Sequence, residues 1–156
     1  MWRKRDESPY AMDGLLFTRK DTKVASGSSE TMLKWKVDYT IDLVAKATAG
    51  ESIQFFMNHN KTSALVPLSA LPRDTTVVLG DSSIDANIED GMVVEFLIQP
   101  TGRKALTIVP MRVRRDKNSP NSVNTVTRTI DASLDHISFD ELCTHLESNS
   151  KNIHHG

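Results

Sequence analysis

The chain has one cysteine, Cys143, in 156 residues. That excludes an internal disulfide and a multi-thiolate zinc site. The histidines, His59, His136, His145, His154 and His155, show no metal-ligand spacing on a single element. Aromatic residues are scarce at 6%, and Trp35, Phe55, Phe56 and Phe96 fall on apparent core strands. A surface that binds nucleic acid by stacking bases on aromatic rings is therefore disfavoured. Excess charge is absent too: the formal net charge is −1, which argues against bulk electrostatic attraction to nucleic acid. No apolar run is long enough to span a bilayer. Arg3, Lys4 and Arg5 are followed by Asp6 and Glu7, where a signal peptide needs its apolar stretch. The expectation is a soluble intracellular protein, with nucleus, cytoplasm and viral factory all open.

What the chain does contain is short alternating segments. Gly14–Phe17 reads as a buried strand. In Met32–Val37, Leu33, Trp35 and Val37 point one way and Met32, Lys34 and Lys36 the other. Ile41–Ala45, Ile53–Met57, the β-branched Thr75–Leu79, Met92–Ile98 and Ala105–Val109 are further strand candidates. Asp90-Gly91 is a turn signal, and Pro100 with Gly102 suggests a hairpin loop. Such a succession predicts a small antiparallel sheet or barrel. The acids Asp81, Asp85, Glu89 and Asp90 lack calcium-loop spacing and read as a solvated loop. The end of the chain turns helical. Val123, Val126 and Ile130 lie at helical spacing, and Ser138 with Glu141 forms a capping box ahead of Phe139, Leu142 and Leu146. The tail from Glu147 is polar and expected to fray.

Three constellations carry chemistry. In Asp13-Gly14-Leu15-Leu16-Phe17 a carboxylate stands at the mouth of a strand, beside a glycine that permits close approach of a ligand or of backbone. Asp13 is a candidate ligand for a divalent cation that bridges phosphates. In Leu33-Lys34-Trp35-Lys36 two lysines share a strand face and suit an α-phosphate. Asp42, shortly after, reads either as an anchor for a lysine or as a turn residue. The third is Arg112-Val113-Arg114-Arg115-Asp116-Lys117, closed by Pro120-Asn121. Arg112 and Arg114 would share one face of an extended segment, and Asp116 can lock a cation by a charge-assisted hydrogen bond. Solvated strand faces and turns account for each constellation taken alone.

In this order the three resemble the later motifs of the covalent nucleotidyltransferases, and in detail the mRNA capping guanylyltransferases. Ser8-Pro9-Tyr10 with Asp13–Thr18 is similar to their fourth motif. Leu33–Lys36 with Thr40-Ile41-Asp42 is similar to the fifth, and Met111–Lys117 with Pro120-Asn121 to the sixth. Thr129–Leu142 resembles the family's C-terminal helical segment. The resemblance implies a mainly β (α+β) chain: an OB-fold barrel with C-terminal helices at residues 47–150, preceded at 1–46 by a few strands of an incomplete nucleotidyltransferase lobe, with a tail at 151–156. It implies GTP as substrate, Mg2+ or Mn2+ as metal at Asp13, and the 5′ diphosphate end of RNA as acceptor. Lys34 and Lys36 would contact the α-phosphate. Arg114, Asp116 and Lys117, with Arg112 more loosely, would act on the outer phosphates as the barrel closes over the site.

The departures are as informative. The family's nucleophile lies in Lys-x-Asp-Gly, which this sequence lacks. Ala11 precedes Asp13-Gly14 at the lysine position, Ile88 precedes Asp90-Gly91, and Lys36-Val37-Asp38 runs into Tyr39. Without an activated amine there is no covalent intermediate. The expectation is therefore the C-terminal half of a guanylyltransferase, inactive alone, with a second chain or missing N-terminal half supplying the lysine. The alternatives are a non-catalytic OB-fold module that binds RNA or protein, and a ligase-type fragment using ATP or NAD.

Overall fold

The computed structural model describes residues 7, 9–10, 12–21, 32–48, 52–71, 76–81, 88–102 and 105–153, the last five as backbone alone. Arg3–Arg5, Ser8, Ala11, Thr75, Asp85 and the His154-His155 tail lie outside them. The chain forms two compact units, Met1–Asp38 and Tyr39–Gly156. The boundary expected after Lys46 thus falls after Asp38. The reason is that the strand beginning at Tyr39 is hydrogen-bonded on both sides within the second unit.

The first unit holds one antiparallel pair, β1 (Gly14–Thr18) and β2 (Met32–Lys36). Gly14 pairs with Lys36, and a Cβ there would sit 2.1 Å from the Trp35 carbonyl oxygen. The glycine therefore serves close approach of the chain's own backbone. The expectation of a buried strand is only half met. Leu16 is 59% exposed and Leu33 67%, on opposite faces of the ribbon, because this pair has no covering layer among the unit's described residues. A two-stranded ribbon of this length is marginal without such cover.

The second unit is a six-stranded sheet with two helices. Its strands are β3 (Tyr39–Ala47), β4 (Ile53–Asn58), β5 (Leu65–Pro67), β6 (Thr76–Leu79), β7 (Val93–Gly102) and β8 (Ala105–Val113). They lie in the order β5-β4-β3-β7-β8-β6, antiparallel except for the parallel β6–β8 pair. Laid flat, six strands would hold the outer two roughly 24 Å apart. Instead Pro67 of β5 and Val77 and Leu79 of β6 line one cavity of about 320 Å3, together with Phe55 of β4 and Ile108 of β8. The sheet is therefore curled, with its two ends facing across that cavity.

The curl encloses an apolar core. Ile41, Leu43, Ala45, Met57, Val94, Phe96, Ile98, Leu106 and Ile108 are all buried in it. Phe96 meets Phe55 edge to face at 4.7 Å between ring centroids. Helix α1 (Val123–Leu134) adds Val126 and Ile130, the residues expected from the helical spacing. Its N-cap is Ser122, whose hydroxyl accepts from the Thr125 backbone N–H. Helix α2 (Phe139–Ile153) starts on the expected capping box: Ser138 N–H donates to Glu141, and Glu141 N–H to the Ser138 hydroxyl. It continues through the stretch expected to fray. Asp90-Gly91 turns at a positive φ of 84° on Gly91. No helix among the described residues is long and apolar enough to cross a membrane.

Candidate functional site

Asp13, Lys34 and Lys36 come together in the first unit. The β1–β2 register sets Lys34 opposite Leu16 and Lys36 opposite Gly14, so both lysines rise on one face. Lys34 Nζ donates to Asp13 Oδ2 at 2.7 Å, and Lys36 Nζ stands 4.0 Å from the same oxygen. The hydrogen bond from Lys34 holds the Asp13 carboxyl below its usual range, against a smaller opposing effect of burial, with the charges of both lysines assisting. Asp13 is 73% exposed and Lys34 45%, so the pair contributes little to stability, at most about 1 kcal/mol. No group of three or more candidate metal-binding side chains occurs among the described residues. A divalent ion there would have Asp13 as one carboxylate ligand, in competition with Lys34 for it, and would take its remaining ligands from phosphate and water.

The basic run occupies the second unit. It begins inside β8 and ends in a turn, with Lys117 N–H donating to the Arg114 carbonyl. Pro110, which donates no ladder hydrogen bond, stands opposite Phe96, yet Arg112 stands opposite Glu95. Met111 is the extra residue of a β-bulge between them. The bulge shifts the phase of the strand and brings Arg112 into a row with Glu95 and Asp42, which face one another across β3 and β7.

That row dictates the electrostatics. Two acids directly opposite, one of them 5% exposed, are unfavourable unless cations answer them. Arg112 Nε donates to Glu95 Oε2 at 2.6 Å. An Arg114 terminal nitrogen donates to Asp42 Oδ1 at 3.1 Å and lies 3.6 Å from Glu95. Lys117 donates to the second Asp42 oxygen. The other side of the Arg114 fork is bidentate on Asp116, at 3.0 and 2.8 Å. Asp116 therefore locks a cation as expected, and its hydrogen bond raises the Arg114 pKa while Arg114 drives the Asp116 carboxyl far below its usual range. Burial pushes Glu95 up, but hydrogen bonds from Arg112 and Thr40 and the charges of Arg112 and Arg114 outweigh it and leave the pKa lowered.

Three carboxylates thus match three cations. Arg114 is 15% exposed with every nitrogen engaged, Lys117 is 37% exposed, and Arg112 66%. Arg115 is exposed and pairs with no described residue. The run is a buttressed network in which Arg114 is the strut.

Asn121 fixes the network to the fold. Its Oδ1 accepts from the Asp42 N–H at 2.8 Å, its N–H donates to the Asp42 carbonyl at 2.8 Å, and its carbonyl accepts from the Asn58 N–H at 2.9 Å. Sequence reasoning identified Asp42 as either an anchor or a turn residue, took Asn121 only as the close of the basic run, and gave Glu95 no role. The available signal for Glu95 was a lone acid in the otherwise apolar Met92–Ile98. A scan against models of known protein families and a search of curated proteins both returned no match.

Proposed function

We propose that this chain is the phosphate-handling part of an mRNA guanylyltransferase, acting with a lysine nucleophile supplied by another polypeptide segment. The observation that carries the reading is the convergence of Lys34 and Lys36 on Asp13. Residues resembling two separate motifs meet on one face, as binding of an α-phosphate with its metal requires. The curled sheet supports an OB-type barrel: β3, β4 and β5 form one antiparallel meander, β7 and β8 a hairpin, and β6 pairs in parallel with β8.

In this reading the attacking amine forms a P–N bond to the α-phosphorus of GTP and loses its proton as the bond to pyrophosphate breaks. Lys34 and Lys36 neutralise the α-phosphate oxygens. Lys117 and Arg112 meet the departing pyrophosphate, and Arg114 holds their frame rigid. Mg2+ or Mn2+ would be held by Asp13 and would supply further charge neutralisation. The acceptor is the 5′ diphosphate end of RNA.

The test is incubation with GTP labelled at the α-phosphate and Mn2+, alone and with a guanylyltransferase fragment that ends before its fourth motif. The expected result is no adduct on this chain alone, a labelled adduct on the added fragment when both are present, and its loss in Lys34→Ala. A covalent adduct on this chain alone refutes the missing-nucleophile reading. One observation favours a non-catalytic barrel module instead, the internal neutralisation of the basic run. Absence of binding to GTP and to pyrophosphate by the folded chain would select it.

A further inference from the structure

We infer that Asp42 and Glu95 are internal counter-anions of the basic run, competing with a polyphosphate for Lys117 and Arg112 and so setting its affinity. This rests on the reading of the run as a phosphate site. Arg114 has one side of its fork on Asp116 and the other on Asp42, which commits three of its five N–H donors and all three nitrogens, and at 15% exposure it gives a ligand little access to the rest. Lys117 and Arg112 differ. Each holds one internal carboxylate, and each keeps a substantial part of its side chain in water.

The two sides of each contact are unequally fixed. Asp42 is 5% exposed, and its backbone is bound at both N–H and C=O by Asn121. Glu95 lies within β7, hydrogen-bonded to both neighbouring strands. The cations ride on long stems, Lys117 from the turn and Arg112 from the end of β8. Exchange therefore moves the cation, while the carboxylate stays as the resting acceptor. A polyphosphate, with several charges close together, can replace a carboxylate at the lysine and at the arginine simultaneously. Asp42 and Glu95 act through those cations and are positioning residues.

The experiment is calorimetric titration with inorganic tripolyphosphate at fixed ionic strength. Asp42→Asn keeps shape and removes charge, and is expected to bind about fivefold tighter than wild type. The gain should disappear in a Lys117→Gln background. Glu95→Gln is the second variant, its gain expected to disappear with Arg112→Gln, and it carries the test where Asp42→Asn fails to fold by circular dichroism. A merely structural role would not couple each acid to its own cation. Folded variants that bind no tighter than wild type, or that gain equally with and without the cation, overturn the inference while leaving the phosphate site intact. Absence of tripolyphosphate binding in wild type and variants alike overturns both.

Discussion

Asn121→Ala is the sharpest test of how the basic run is held. The substitution removes the side-chain oxygen that accepts from the Asp42 N–H at 2.8 Å and leaves the two backbone bonds of residue 121 in place. Asp42 is 5% exposed, so water cannot readily take over that donor. An orphaned buried N–H costs about 1–3 kcal/mol, and the short bond, at a part-buried site on a nearly inaccessible residue, places this one near 2 kcal/mol. For a unit of this size that corresponds to a fall in Tm of roughly 6–12 °C. Asn58→Ala is the comparison. Its side chain donates to the Pro120 carbonyl at a long 3.3 Å, at a site part-buried like that of Asn121, and for that weaker bond the loss should be only about 0.5 kcal/mol. Urea unfolding monitored by circular dichroism gives both numbers. Equal losses for the two, or less than about 0.5 kcal/mol for Asn121→Ala, would refute the claim that Asn121 pins Asp42.

Two further outcomes follow from the geometry. Gly14→Ala puts a methyl 2.1 Å from the Trp35 carbonyl oxygen, so β1 and β2 must separate. Trp35 fluorescence should shift and metal-dependent GTP binding should fall with it; an unchanged spectrum refutes the close approach. Glu95 has a folded pKa below its ordinary 4.5, so its contribution to stability is complete above that value and is lost as pH falls through the lowered one. The urea midpoint should decline below about pH 4.5, and less steeply in Glu95→Gln; identical slopes would remove Glu95 from the network.

How much was legible follows from the range of each interaction. The alternation of Met32–Lys36 and the β-branched Thr76–Leu79 mark strands through their own residues, and so does the capping box at Ser138. Leu65–Pro67 was missed because three residues ending in proline carry no periodicity. Asp116 on Arg114 was legible because the partners are two residues apart. Lys34 and Lys36 were placed on one face correctly, but their meeting with Asp13 depends on the hairpin register. Asp42 with Arg114 and Lys117 was out of reach. That contact spans most of the second unit and requires the β3–β7–β8 register and the bulge at Met111, both set by packing of the apolar core.

The balance of charge in the run bears on what such a site selects. A cation array without internal acids would project a field over a Debye length and collect any phosphodiester backbone. Here three carboxylates cancel three of the run's four cations within contact distance and leave the exposed Arg115 uncompensated among the described residues, on a chain whose net charge is −1. Little field escapes to steer a distant polyanion. A ligand must enter the contact shell and outcompete a carboxylate for Lys117 or Arg112. A single phosphodiester charge gains little by that exchange. A pyrophosphate or triphosphate offers more than one charge to cations held near a common strut, Arg114, and gains at each. Under the function proposed, the pairing of Lys117 and Arg112 at rest is what would separate the polyphosphate of a nucleotide from the backbone of the RNA that receives the cap.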